Sequence, residues 1–139
     1  MSLAAETPTA LLMAEDEPLI RMAAADALAD AGYRVLEAGD AQEALAMLVA
    51  HPDVALLITD VRMPGSVDGL ELTHRVRERW PDVAIIVTSG HAHLLAGDLP
   101  PGALFLPKPY QPPTLVVLAA SLLDKQPGEA APLLAPPLA

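Results

Sequence analysis

The sequence has no cysteine, so no disulfide framework holds it together, a composition compatible with a reducing compartment. Aromatic residues are scarce, with one Trp, two Tyr and one Phe, which leaves Leu, Val, Ile and Ala to build the core. Basic residues are outnumbered, since 8 Lys and Arg stand against 18 Asp and Glu for a formal net charge of -10. That balance opposes binding to phosphate backbones and to anionic membrane surfaces, so neither nucleic acid nor membrane is expected as a partner. No apolar run approaches the roughly 20 residues of a spanning helix, and no charged segment followed by an apolar one reads as a signal peptide. A soluble, cytoplasmic protein is the expectation.

What is abundant is aliphatic. Hydrophobic residues make up 53% of the 139 and charged residues 19%, enough for one domain with a proper core. The run Val54, Ala55, Leu56, Leu57, Ile58 has the length and branching of a strand covered on both faces, as in a parallel sheet with helices on either side. It predicts a strand over 54–59 that delivers Asp60 to the mouth of a loop. Further strands are expected over 10–14, 33–37, 83–88 and 103–106. Helices are expected over 18–31, from Asp40 to about Ala50, from about Asp68 to Trp80, and from Pro112 or Pro113 onward. Pro18 suits a first helical turn, Gly32 suits a helix end, and Asp40 with Glu43 forms an acidic capping box. Glu71, Arg75, Glu78 and Arg79 read as a solvated helix face. Strands alternating with helices give a three-layer α/β fold around a parallel five-stranded sheet.

Polar groups end the strands. Glu15, Asp16 and Glu17 follow the first, Asp60 the third, Thr88, Ser89 and Gly90 the fourth, and Lys108 the fifth. Ligands of open α/β sheets collect outside the carboxyl ends of the strands, and strands roughly 4.8 Å apart would bring these groups into one pocket.

This ordered set, Glu15 and Asp16, then Asp60, Thr88, and Lys108 in the string LPKPY, resembles the receiver domain of bacterial two-component response regulators over residues 10–124. The resemblance implies a doubly wound, flavodoxin-like sheet of strand order 2-1-3-4-5. It implies that Asp60 accepts a phosphoryl group from a sensor histidine kinase or a histidine phosphotransfer protein in a phosphorelay. Glu15, Asp16, Asp60 and the backbone carbonyl of Arg62 would hold Mg2+ (or Mn2+), Thr88 and Lys108 would bind the phosphoryl group, and Phe105 would be the switch aromatic. Lys108–Pro109 would be a cis peptide, and Arg62 and Ser89 would stand where hydrolytic water approaches. Output would be a contact with an unknown downstream protein, and a homodimer is compatible with the pattern. The protein would be a switch rather than an enzyme, assisting its own phosphorylation and dephosphorylation.

The chemistry of these residue types agrees. Phosphoryl transfer develops charge on three equatorial oxygens, which the protein must neutralise more than react with. Magnesium binds through one or two carboxylates plus phosphate oxygens, and lysine supplies a compact ammonium.

Residues 89–102 depart from the family pattern. They contain Gly90, Gly97, Pro100, Pro101 and Gly102, so the fourth helix is expected to be short or irregular, with one or two turns around 91–96. A leader is expected over 1–9, and a Pro- and Ala-rich disordered tail over 125–139. His91 and His93 form a pair with too few companions for a metal site. Two other functions compete. One is a receiver-like interaction module independent of phosphorylation, which the intact set of site residues opposes. The other is an aspartyl-phosphate hydrolase, which would need a general acid where Arg62 stands.

Overall fold

The computed structural model describes residues 8–90 and 98–124. Among the described residues, five parallel strands and four helices follow in the order β1 (Ala10–Ala14), α1 (Pro18–Asp30), β2 (Arg34–Ala38), α2 (Ala41–Ala50), β3 (Val54–Asp60), α3 (Gly69–Arg79), β4 (Ala84–Ser89), β5 (Leu104–Pro107) and α4 (Pro112–Leu123). The sheet order is β2-β1-β3-β4-β5. The expected turns of helix over 91–96 and the expected tail lie outside the described residues. Among the described residues, no helix is long and apolar enough to cross a membrane.

The continuous apolar runs have a direct cause. Successive side chains of a strand point to opposite faces, and both faces here are covered. Leu11, Met13, Leu56, Ile58 and Ile86 point to a core closed by Leu28 of α1 and Leu115 and Ala119 of α4. Leu12, Ala14, Leu57, Ile85 and Val87 point the other way, to Leu48 of α2 and Leu72 and Val76 of α3. Each fully buried Leu or Ile contributes about 1.5–3 kcal/mol of burial.

Helix ends follow local chemistry. Glu43 N–H donates to Asp40 Oδ1 at 2.8 Å, while the Glu43 carboxylate reaches back to Gly39 N–H, also at 2.8 Å, so the box closes one residue earlier than its usual form. Asp68 Oδ1 caps α3 by accepting from Glu71 N–H at 2.9 Å. Helix α1 stops one residue before the expected 31, and Gly32 follows with φ +105, a left-handed conformation suited to glycine. Glu71, Arg75, Glu78 and Arg79 are exposed as expected.

Arg77 has a role that helical periodicity does not reveal. Its guanidinium donates to the carbonyls of Pro81 (3.0 Å), Val83 (2.7 Å) and Pro101 (3.1 Å), fastening the β4–β5 connection to the end of α3. His74 Nε2 lies 2.8 Å from the Asp98 carbonyl one turn earlier. Arg77→Met leaves three carbonyls without this donor and is expected to cost about 2 kcal/mol. The checks are the urea midpoint and amide exchange over residues 98–103, and an unchanged midpoint would remove the clasp from the account.

Candidate functional site

The site lies along the C-terminal edge of the sheet, where β1, β3, β4 and β5 end together. Asp60 pairs with Thr88, and Ser89 pairs with Pro107, so these residues form the last rungs of the ladder rather than the loops beyond it. The strands therefore run one residue further than their apolar residues indicate. The backbone is still hydrogen-bonded there: Val61 N–H donates to the Thr88 carbonyl at 3.0 Å and Lys108 N–H to the Ser89 carbonyl at 2.9 Å. The consequence is rigidity, since Asp60 is held by a strand and Lys108 emerges directly from one.

At the centre, Lys108 Nζ is 2.9 Å from Asp60 Oδ2 and 2.9 Å from Glu15 Oε1. One ammonium thus bridges carboxylates from β3 and from the turn after β1. Glu15 is fully buried, and its other oxygen accepts from Glu17 N–H at 3.0 Å. Burial raises the Glu15 pKa above its ordinary value, with the Lys108 and Glu17 bonds acting against that rise. Burial alone would lower the Lys108 pKa, but the bonds to Asp60 and Glu15 outweigh it and the net direction is up. Arg21 of α1 donates to the Glu15 carbonyl at 2.7 Å and pairs with Glu37 at 3.1 Å, anchoring the turn that carries Glu15.

Asp16 is exposed beside this pair. One carboxylate oxygen each from Glu15, Asp16 and Asp60 lies within 4.8 Å of the others. Two buried carboxylates share one ammonium and a third stands exposed beside them, so acidic groups are in excess in the cluster. An all-oxygen donor set with that excess fits a small divalent cation such as magnesium.

The other expected residues fall around this centre. Thr88 is fully buried, with Oγ1 3.5 Å from the Thr59 carbonyl. Arg62 points outward, and its N–H donates to Asp60 Oδ1 at 3.4 Å. Phe105 is half-buried and packs with the core on the α2 and α3 side, and its ladder partner is Val87, while Thr88 pairs with Leu106. Lys108–Pro109 is cis.

A sequence profile described as the response regulator receiver domain matches residues 11–120. The chain belongs to that family. Receiver domains are signalling domains of two-component systems, in which a phosphorylated aspartate and magnesium are characteristic. This receiver domain is 36% identical to the response regulator receiver protein CpdR of Brucella abortus over 103 residues, 72% of this chain and 84% of that protein. It is 36% identical to the transcriptional regulatory protein PdtaR of Mycobacterium tuberculosis, over 76% of this chain and 52% of that one. It spans 20% of the length of the regulator HoxA of Cupriavidus necator and 26% of NtrX of Azorhizobium caulinodans. Among solved structures, a response regulator receiver protein of Sinorhizobium medicae superposes with a TM-score of 0.78 at 28% identity, covering 84% of this chain and 95% of that one. The receiver domain of the hybrid histidine kinase CckA superposes at 0.71 with 36% identity, covering 82% and 98%.

Two residues of this receiver domain escaped the sequence reading. Gly69 opens α3, and a Cβ placed on it would overlap the Asp60 carbonyl oxygen. The Asp-Gly pair at 68–69 was the available signal. Tyr110 ends the LPKPY string, and its hydroxyl is buried near the charged centre. No periodicity marks such a residue.

Proposed function

We propose that this receiver domain is a phosphorylation-dependent switch in which Asp60 accepts a phosphoryl group from a sensor histidine kinase or a histidine phosphotransfer protein. The observation that carries this reading is the Lys108 ammonium shared at 2.9 Å between Asp60 and Glu15. An acceptor must hold negative charge before transfer and three phosphoryl oxygens afterwards, and an ammonium within reach of both serves the two states.

In this mechanism, an Asp60 oxygen attacks phosphorus while the bond from phosphorus to the donor histidine nitrogen breaks, and that nitrogen keeps the electron pair. Lys108 then moves from the Asp60 carboxylate to a phosphoryl oxygen, and the Thr88 hydroxyl donates to another. Glu15, Asp16, Asp60 and the Arg62 carbonyl would hold magnesium or manganese, which supplies positive charge to the transferring group. Phe105 follows Thr88 as the switch aromatic, so that phosphorylation shifts a pre-existing equilibrium. Arg62 and Ser89 border the route of hydrolytic water and set the lifetime. The switching unit is residues 10–124, acting in the cytoplasm on a protein target.

Access for a donor protein is supported by the surface beside the site. Leu19 and Met22 of α1 are 78% and 52% exposed. Leu19, with Ile20, lines a cleft of about 620 Å³ between α1 and residues Lys108 to Pro112. Exposed apolar surface next to a reacting group gives an incoming helix something to bury.

The test is intact mass after incubation with acetyl phosphate and magnesium. One phosphoryl mass is expected, absent with chelator and absent in Asp60→Asn. An unmodified but folded wild-type protein would instead favour an interaction module independent of phosphorylation.

A further inference from the structure

Arg21 stands where the pattern of α1 asks for something else. It precedes Ala24, Ala25 and Leu28, the buried residues of that helix, by three, four and seven positions, so helical spacing puts it on the face turned to the sheet. It also closes the first turn, which holds no acidic residue and where the helix dipole disfavours a cation. Neither apolar packing nor the dipole accounts for a guanidinium there. Its two bonds do: Nη1 donates to the Glu15 carbonyl at 2.7 Å, and Nε donates to Glu37 Oε1 at 3.1 Å.

The first of those bonds holds a single peptide group. The Glu15 carbonyl shares its planar peptide with the Asp16 nitrogen, so the orientation of that plane sets the direction in which Asp16 leaves the chain. Glu15 N–H in turn donates to the Ala38 carbonyl at 3.0 Å. Glu37 and Ala38 end β2, so both holds on the Glu15 backbone lead to the same strand end. Asp16 is exposed, yet one of its carboxylate oxygens lies within 4.8 Å of oxygens of Glu15 and Asp60. A partly exposed ion pair such as Arg21 with Glu37 adds little stability, so its use is orientation.

We propose that Arg21, held by Glu37, is a positioning residue for the cation site, fixing the peptide between Glu15 and Asp16 so that both carboxylates face Asp60. This rests on those carboxylates holding magnesium. Groups that orient metal ligands typically change metal affinity by about 10–100-fold.

Charge and position predict opposite signs. Taking a cation away from an acidic cluster strengthens magnesium binding if charge alone counts, whereas losing the clasp weakens it. Magnesium dissociation constants are measured for the wild type, Arg21→Met, Arg21→Lys and Arg34→Met by titration, following the amide resonances of Asp16 and Asp60. Arg34 pairs with Asp53 at 2.9 Å at the opposite end of β2, so Arg34→Met removes the same charge and an ion pair but leaves the clasp. Arg21→Met should bind magnesium about tenfold more weakly. Arg21→Lys should also bind more weakly than wild type, since one ammonium does not replace the fork. Arg34→Met should bind as wild type or slightly tighter. In metal-free Arg21→Met the 15N resonance of Asp16 should shift, because its nitrogen shares the peptide that loses the bond. Wild-type or tighter binding in either Arg21 variant, an unmoved Asp16 resonance, or equal weakening in Arg34→Met would overturn the inference alone. No magnesium binding by the wild type would overturn the metal reading and this inference together.

Discussion

Gly69→Ala is expected to lower the melting temperature by about 10–15 °C and to impair phosphoryl loading at the same time. The added Cβ would overlap the Asp60 carbonyl oxygen and lie 2.7 Å from the Asp60 carbonyl carbon and 2.9 Å from Val61 Cα. All three atoms are backbone, so no side chain can swing aside. Overpacking costs about 1–3 kcal/mol where neighbours can adjust, and here the upper end applies. The Gly69 N–H also donates to the Val61 carbonyl at 2.8 Å, so the start of α3 cannot retreat without losing that bond. The residue forced to move is the proposed acceptor itself, which couples stability to function. Gly65→Ala is the control. Gly65 has φ +111 but open space around its Cα, so that variant should lose only about 1 kcal/mol of backbone strain. A Gly69→Ala protein melting within about 3 °C of wild type would remove the close approach from the argument.

The second large effect is expected for Lys108→Met in metal-free protein, which should lose about 3 kcal/mol at pH 7.5 and visibly less at pH 5. Removing one partner of a buried ion pair leaves an uncompensated charge, a loss of about 3–5 kcal/mol. The lower end applies because the Lys108 side chain is 18% exposed and the pocket is partly solvated. The pH dependence comes from Glu15, whose pKa burial has already raised above 4.5 and whose bond to Lys108 was opposing that rise. A carboxyl with a folded-state pKa above its unfolded one binds more protons when folded. Stability is then greatest below the unfolded value and declines as pH rises through the folded one. The variant, with a higher Glu15 pKa than wild type, should therefore show the steeper decline between pH 5 and 7.5. Urea midpoints at the two values test this, and a difference from wild type independent of pH would place the cost elsewhere. Magnesium should restore part of the loss at pH 7.5, since a dication can replace the missing ammonium.

Much of this was visible in the chain itself, for identifiable reasons. Apolar runs buried on both faces mark their own strands, and a parallel sheet sends every strand's C-terminal end to one edge. Glu15, Asp60, Thr88 and Lys108 could therefore be placed together before any coordinates. The strand ends were less legible, because Asp60, Thr88 and Ser89 are polar residues whose backbones remain in the ladder. Hydropathy records side chains, and the ladder is made by main chain. Arg77 and Gly69 were illegible for another reason. Each matters through an atom of a different element, the Pro101 carbonyl and the Asp60 carbonyl respectively. A one-dimensional pattern reports which way a residue faces and not what it meets there.

The ammonium bridge also has a history within each molecule. Its carboxylates come from β3 and the turn after β1, while its lysine follows β5 and lies 48 residues beyond Asp60. At a translation rate of about 5–20 residues per second, the ribosome has delivered both acids roughly 2–10 s before Lys108 is made. A nascent chain that collapses around β1 and β3 in that interval gathers the acids without their lysine. Six arginines are the positive side chains made by then, so arginine or a dissolved cation must balance the acids until Lys108 arrives.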